Sequence, residues 1–455
     1  MDADALLLSR LQFAVTIGFH ILFPTLTIGL GMFLVVLEGL WLWRGDLAIH
    51  RMLRFWTRVF ALAFGVGVVS GLVLSYQLGT NWGRFTAVTG NVLGPLISYE
   101  VVTAFFLEAG FLGIMLFGWN RVPPKIHYLS TILVAVGTLI STFWILSANS
   151  WMHTPAGFAL DGGRMVVTDW MAVVFNPSFP YRLAHMVVAT LVATSFLVAG
   201  VGAWCVLRDR HREFGARSLS FALGMAAVAA PLQVVMGDLH GLNTVEHQPV
   251  KVAAMEGHWR FHDGPAPFIL FALPDQAAER NRAEIAIPYA GSLILTHSLS
   301  GAVPSLDSVP PGDRPPVAVV FWSFRLMAGL GLWFVVLAGI GLYARHRLAL
   351  TQWRWYLRLL VGTAPLGFVA VLAGWVVTEV GRQPWVVYGH LRTADGVSLV
   401  PASSVAVTFG LFILAYGVLL AAFLTFFLHM VAKGPGDAGD PPHFQNKAKA
   451  AVQEG

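Results

Sequence analysis

The residues able to do chemistry in this sequence are few, and they sit in unusual surroundings. His20, Glu100, Glu108, His185, Arg325 and Glu379 fall inside long apolar stretches, where an ionisable group is costly and marks a functional hypothesis by default. Met327 joins them because a thioether can bind haem iron. Imidazoles, thioethers and carboxylates are metal ligands, and imidazoles and carboxylates also carry protons. The set points to metal-centred redox chemistry, to proton transfer, or to both. Each residue alone has a plainer role. A histidine can simply hydrogen-bond across helices, a methionine in an apolar stretch is ordinarily packing, and Glu100 could be a structural hydrogen-bond partner. Glu38, near the end of the first stretch, is expected to reach the aqueous interface.

The apolar stretches must position these groups. Hydrophobic residues make up 56% of the 455 residues and charged residues 12%, against about 25% charged in a soluble domain. Lipid is therefore the main solvent. A spanning helix needs roughly 20 mostly apolar residues. The chain offers nine such stretches, near 12–43, 55–78, 95–118, 127–147, 183–207, 217–237, 317–344, 356–380 and 404–430. The expected fold is an all-α integral membrane protein with nine transmembrane helices. Helices one to six lie within 1–237, an outer-face loop occupies 238–316, helices seven to nine lie within 317–430, and a mobile cytoplasmic tail follows at 431–455. Pro24, Pro231 and Pro365 fall inside spans, where neighbouring helices can satisfy the freed carbonyls. The opening MDADALLLSR carries two acids, the reverse of the basic start of a cleavable signal, so the first stretch is expected to remain as a helix.

The net charge of +5 does not imply a nucleic-acid partner, because the basic residues cluster in short loops as membrane orientation requires. The clusters are Arg44, Arg51, Arg54 and Arg58; Arg121 and Lys125; Arg208, Arg210, Arg212 and Arg217; Arg345, Arg347, Arg354 and Arg358; and Lys433, Lys447 and Lys449. The positive-inside rule puts these on the cytoplasmic side, with the N-terminus outside and the C-terminus cytoplasmic. The single cysteine, Cys205, excludes intrachain disulfides and cysteine-ligated clusters.

With that orientation, His20, Glu100, His185 and Met327 lie early in inward-running spans, and Glu379 lies at the exit of an outward-running one. Five candidate iron ligands from five helices therefore share one level near the outer face. Glu108 follows Glu100 by eight residues, about 12 Å deeper on roughly the same side of the helix, so the two glutamates could form a proton path. Two outer segments stand out, 148–182 with SANSWMHTPAGF and the long connection 238–316.

Five local sequences then become specific: RLQFAVTIGFHILFP in span one, the glutamate pair in span three, QPVKVAAMEGHW at 248–259, FWSFRLMAGLG opening span seven, and GWVVTEVGRQPWVVYG with GRQPW at 381–385. In this order they resemble subunit I of cytochrome bd-type quinol oxidases, from about residue 10 to about residue 430, with a short connection before span seven like that of the short quinol-loop branch. The resemblance implies a quinol:oxygen oxidoreductase of the bacterial cytoplasmic membrane. It implies His185 and Met327 as axial ligands of a low-spin haem b, and His20 and Glu379 as ligands of two high-spin haems, one b and the third d or b, with the pairing left open. Glu100 is a further ligand candidate, and Glu100 and Glu108 are candidate proton carriers. Arg325 would stand near the low-spin haem, Arg382 would balance charge beside Glu379, and Trp375 would stack near the haem pair. Lys251 and Glu256 lie in the motif the family uses for quinol. Quinol, ubiquinol or menaquinol, would be oxidised at the outer face with proton release there. Dioxygen would be reduced to water with cytoplasmic protons, giving a proton motive force without pumping. A second membrane subunit and a small accessory subunit are the implied partners.

Two other classes compete. A quinol-binding cytochrome b that only carries electrons would fill every axial position and bind no carbon monoxide. A proton-coupled transporter would use the intramembrane glutamates and show no haem spectrum.

Overall fold

The computed structural model describes residues 3–261, 264–347 and 349–436. In chain order the elements are α1 (Ala3–Arg44), α2 (Leu47–Thr80), α3 (Gly83–Glu100), a π-helical turn (Val101–Phe105), α4 (Phe106–Phe117), α5 (Pro124–His153), β1 (Phe158–Asp161), β2 (Arg164–Val167), α6 (Trp170–Val174), α7 (Phe179–Leu207), α8 (Arg212–His247), α9 (Pro249–Glu256), β3 (Phe268–Asp275) and β4 (Arg280–Ile287). They continue with α10 (Ala290–Thr296), α11 (Val317–His346), α12 (Arg354–Thr363), α13 (Leu366–Val380), β5 (Trp385–Val387), β6 (Leu391–Arg392), α14 (Thr393–Gly396) and α15 (Ala402–Lys433).

Among the described residues, nine helical segments are long and apolar enough to cross a membrane, and they coincide with the nine expected stretches. Most extend beyond the apolar core at one or both ends; α8 runs on to His247, past the expected end at 237. Three spans are composite. The third joins α3 and α4 through the π turn, the fifth joins α6 and α7, and the eighth joins α12 and α13. The last break falls at Pro365, which has no N–H to continue the helical ladder. The expected tail lies outside the described residues from 437 onward.

The bundle core gathers Leu30, Leu34, Leu37, Trp56, Phe60 and Phe196 with residues of α8, α11 and α12. Lipid removes most of the hydrophobic drive between helices, so close backbone approach at small residues does much of the packing. A Cβ on Gly200 would lie 2.6 Å from Ala364 Cβ, and one on Gly367 would lie 2.5 Å from Ala193 Cα. By contrast, Leu411, Leu414 and Val418 leave α15 more than half exposed (59%, 65% and 61%).

The connections after spans two, four, six and eight gather at one end. Three antiparallel hairpins, β1–β2, β3–β4 and β5–β6, sit there. Tyr388 N–H donates to Met152 O at 2.9 Å, Ser398 N–H to Asn81 O at 2.9 Å, and Arg392 pairs with Asp313 at 2.5 Å. The loops carrying the basic clusters lie at the other end, where Asp46 caps α2 through Ala48 N–H and pairs with Arg217 of α8 at 2.5 Å.

Candidate functional site

At the long-loop end, the last turn of α13 presents Glu379. Arg382, three residues on, pairs with its Oε2. Asn149 Nδ2 donates to its Oε1 at 2.9 Å, and His153 Nε2 lies 3.3 Å from the same oxygen. Asn149 and His153 are one turn apart on α5, so a single helix face supplies both. His153 Nδ1 is 3.0 Å from Lys251 Nζ, which also donates to Gln248 Oε1 at 2.5 Å. With the lysine donating to Nδ1, the ring carries its proton on Nε2 and gives it to Glu379. The Lys251 stem crosses Gly381, where a Cβ would lie 2.8 Å from Lys251 Cγ; the glycine of GRQPW is thus required by close approach. Burial, and then the nearby Arg182 and Arg382, hold the Lys251 amine well below its ordinary value, with Glu379 opposing.

Among the described residues, this buried cluster sets Arg182, Lys251 and Arg382 against Glu379. Arg182 Nε and Arg382 Nε and Nη1 are buried with no hydrogen-bond partner among the described residues. Buried donors call for acceptors, and an excess of buried cations calls for anions. The carboxylate side chains of a haem meet both demands. Among the described residues, no three His, Cys, Asp or Glu side chains group as a site for a bare ion. Ligands arriving singly from separate helices suit a macrocycle that needs only axial donors. Arg182, Asn149, His153 and Gln248 are additions to the residues singled out from sequence; SANSWMH and the glutamine of QPVK were the signals for the last three, and Arg182 had none.

Deeper in the same half lie the other candidates. His20 Nδ1 is 2.9 Å from Ser70 Oγ. Ser70's own hydrogen goes to the carbonyls of Val66 or Gly67, each at 3.0 Å, so its oxygen accepts from Nδ1–H. That leaves the Nε2 lone pair free, the arrangement that outer-sphere partners give a ligating imidazole. A Cβ on Gly71 would come within 3.2 Å of the same ring. His185 faces α8, with the Gln233 amide 3.1 Å from its Nε2 and the His240 ring edge-on at 5.3 Å. Met327 reaches α13, where a Cβ on Gly374 would lie 2.8 Å from its sulfur. The half-buried Trp375 follows Gly374 and sits one turn before Glu379. It therefore stands on α13 between the Met327 and Glu379 regions. Helices α7 and α11 touch through the Phe196 and Phe334 rings at 4.7 Å. His185 and Met327 lie about 16 Å and about 10 Å from that contact by helical rise, both toward the long-loop end.

The two glutamates of span three both face α5. Glu100 accepts from Ser141 Oγ at 2.7 Å, and Glu108 packs where a Cβ on Gly137 would lie 2.5 Å from its Cγ. Gly137 and Ser141 are one turn apart. Eight residues of regular α-helix would leave the two carboxylates about 80° out of line. The π turn at Val101–Phe105 holds more residues per turn and brings them onto one face. The candidates share one half of the bundle but occupy more than one depth: Ser141, the partner of Glu100, is eight residues from Asn149 on α5, about 12 Å along its axis.

Lys251 and Glu256 sit on α9 but turn to different neighbours. Glu256 Oε2 accepts from Arg325 at 2.9 Å and is buried. Burial pushes its carboxyl above the ordinary range, and Arg325 pulls it back. Arg325 also donates to Met255 O at 2.8 Å and Ile269 O at 2.6 Å, and lies 4.3 Å from the Phe321 ring centroid. The structure therefore brings Lys251 to Glu379 and Glu256 to Arg325. Glu38 does not reach the interface: it is fully buried, 2.6 Å from both His127 Nδ1 and Thr131 Oγ1.

Comparison with known proteins relates the whole chain to a family. The sequence profile of the family described as cytochrome bd terminal oxidase subunit I matches residues 8–435. The chain is 36% identical over 439 residues to cytochrome bd ubiquinol oxidase subunit 1 of Bacillus subtilis (strain 168), covering 94% of each. It is 33% identical over 488 residues to cytochrome bd-II ubiquinol oxidase subunit 1 of Escherichia coli (strain K12), covering 92% of this chain and 95% of that one. Its fold is similar to the bd oxidase of Geobacillus thermodenitrificans, with TM-score 0.89 and 32% identity over 95% of this chain and 99% of that one.

Proposed function

The chain belongs to the cytochrome bd terminal oxidase subunit I family, and from that premise we propose how its own residues divide the work. It is a multi-pass protein of the bacterial inner membrane and a quinol:oxygen oxidoreductase that carries haem and works with a second membrane subunit. Haem supplies electron transfer and oxygen chemistry when bound; the protein supplies ligands, orientation and proton routes.

In our reading His185 and Met327 would hold a low-spin haem b, which would supply electron transfer. His20 and Glu379 hold the high-spin pair, one haem b and a third haem, d or b, and Glu100 is a further ligand. Arg382 and Arg182 meet haem carboxylates, and Trp375 stands between the two regions on α13. Glu256, oriented by Arg325, takes protons from quinol, and its upward shift makes it a stronger base for that purpose. Lys251 carries the same quinol loop into the Glu379 cluster. The N-terminus and long loops face outward, so quinol protons are released outside, while protons for water formation come from the cytoplasm past Glu108. Charge separation then follows from these sides alone, without a pumping step. Either ubiquinol or menaquinol fits this scheme, and a small accessory subunit completes the proposed complex.

The observation that carries the reading is the cationic cluster around Glu379, with three buried guanidinium donors open to an anionic group. The test is a set of reduced-minus-oxidised spectra of purified complex, with and without carbon monoxide, beside quinol-dependent oxygen uptake. Low-spin haem b with a carbon-monoxide-responsive component is expected, and a far-red chlorin band would make the third haem d. Low-spin haem with no carbon monoxide response would make the protein an electron carrier instead.

A further inference from the structure

At the end opposite the ligand cluster, spans one and four bury an acid–imidazole pair that the scheme above does not use. Glu38 of α1 and His127 of α5 are 0% and 2% exposed. Glu38 Oε1 lies 2.6 Å from His127 Nδ1, and Oε2 accepts from Thr131 Oγ1 at 2.6 Å. His127 Nε2 lies 3.1 Å from Met115 O.

These contacts determine how many protons the pair holds. A carbonyl oxygen can only accept, so His127 Nε2 carries a hydrogen. Thr131 donates to Oε2, so the remaining short contact, Nδ1 to Oε1, contains one proton. That proton belongs either to a glutamic acid beside a neutral ring or to an imidazolium beside a carboxylate. Both forms are neutral overall, and the proton can move between them without transferring net charge within the low-dielectric bundle. No lysine or arginine pairs with this carboxylate among the described ion pairs.

The surroundings give the pair two sides. Toward the basic end, the Trp119 ring lies 4.0 Å from His127 and 5.5 Å from His50, with the Arg54 guanidinium 4.9 Å from it. His50 stacks on Trp41 at 4.5 Å. Toward the site, α5 carries His127, Thr131, Thr138 and Ser141 at spacings of four, seven and three residues, which keeps them on one helix face. Ser141 donates to Glu100, and Gly137, against which Glu108 packs, is the residue before Thr138. One helix face thus links the buried pair to both glutamates.

We propose that Glu38 and His127 form a proton-relay site, which receives protons at the basic end and passes them by way of Thr131 toward Glu108 and Glu100. The proposal rests on the oxidase reading and its orientation, since only then does the reaction draw protons from this end. In each transfer the shared proton leaves first from Glu38 past the Thr131 hydroxyl, and a proton from the basic side then refills the Nδ1–Oε1 contact, with His127 Nε2–H staying on Met115 O throughout. The pair returns to its one-proton state, and no redox change occurs at these residues. Transfer over the interval between Thr131 and the level of Glu108, about 9 Å by helical rise, goes through water.

Glu38→Gln is the decisive variant. Its amide can donate to His127 Nδ1 and its oxygen can accept from Thr131, so both contacts persist while the mobile proton is lost. In purified complex, E38Q is expected to keep wild-type haem spectra and an unchanged KM for quinol. Its steady-state oxygen uptake should fall about tenfold or more, with a larger solvent deuterium isotope effect. Turnover within twofold of wild type, with an unchanged isotope effect, would overturn the proposal. If E38Q does not assemble, the pair T131V and T131S decides: lower turnover in T131V restored in T131S supports the relay, and wild-type turnover in both overturns it. Absence of quinol-dependent oxygen uptake in the wild-type complex would instead overturn the oxidase reading.

Discussion

Arg325→Met tests how the quinol loop is held. One guanidinium on α11 donates to Met255 O at the end of α9, to Ile269 O on β3 and to Glu256 Oε2, while resting against Phe321 and Phe268 at 4.3 and 4.6 Å. Methionine keeps most of the stem and loses every donor. Removing one partner of a buried ion pair costs about 3–5 kcal/mol, and each carbonyl left without a donor adds about 1–3 kcal/mol. Even the lower bound for the pair is more than a hundredfold in the opening equilibrium of the loop, at about 1.4 kcal/mol per tenfold. Hydrogen exchange across 249–287 should therefore rise at least about a hundredfold in R325M at neutral pH. R325M/E256L removes the stranded carboxylate and should recover most of the pair's share, leaving only the carbonyls unsatisfied. The pH dependence has a definite sign. Glu256 is raised above its ordinary value in the closed loop, so the closed state binds the proton more tightly than the open one. Closure is then favoured at low pH and weakens as pH rises through the shifted value. Losing Arg325 raises that value further, so R325M should approach wild type at low pH and diverge as pH rises. Exchange in R325M equal to wild type, or a double variant as loose as the single one, would refute this reasoning.

Gly374→Ala places a carbon 2.8 Å from Met327 Sδ; the displaced thioether should shift or diminish the low-spin haem band, and an unchanged reduced spectrum would count against Met327 as a ligand. Glu379→Ala should abolish part of the carbon-monoxide-responsive signal while the low-spin band persists; loss of only the low-spin band would reverse the assignment. Arg217→Ala breaks a partly exposed pair with Asp46 and should change stability by less than about 1 kcal/mol. Asp46→Ala also removes the α2 cap, worth about 0.5–2 kcal/mol, and should lower the thermal midpoint more than R217A; equal midpoints would deny the cap its role.

The spans were legible because a bilayer imposes one simple demand, a run of apolar residues long enough to cross it. Their true ends were not, since helices such as α8 continue into polar sequence that the long loops then cover. His20, His185 and Glu379 were legible as chemically costly residues in the wrong solvent, and Met327 as a thioether able to bind iron. His153 was not: it ends α5 in a segment that looked like loop, and only the fold brings it between Lys251 and Glu379. Glu38 was misread because proximity to a span's end suggested access to water. What buries it is His127, 89 residues away in the chain, and no local pattern announces such a pairing.

The glycines show why the finer geometry escaped sequence reading. His20 lies on Gly71, Glu108 on Gly137, His185 on Gly237, Met327 on Gly374 and Lys251 on Gly381. In the first four cases the polar or ligating side chain enters a helix interface at the position where the opposing helix has no Cβ, and in the fifth the glycine is the C-cap of α13. Spans packed through small residues can approach closely, and the gaps left by missing side chains are then available to a few large polar ones. The glycine alone says nothing, since Gly65, Gly110 and Gly329 face open space in the same bundle. Its meaning depends on which residue of another helix lies opposite, which depends in turn on register. The π turn makes the same point along one helix. Counting residues from Glu100 to Glu108 as regular α-helix leaves the carboxylates about 80° out of line, and the local change of winding at Val101–Phe105 is what aligns both on α5. Removing one residue from this turn would leave the glutamates seven apart, within about 20° of one face of a regular helix, whereas removing two would leave six and turn Glu108 about 120° from the line of Glu100 and away from Gly137. Oxygen uptake should then fall in the two-residue deletion with haem spectra retained; wild-type uptake after that deletion would separate Glu108 from the proton path.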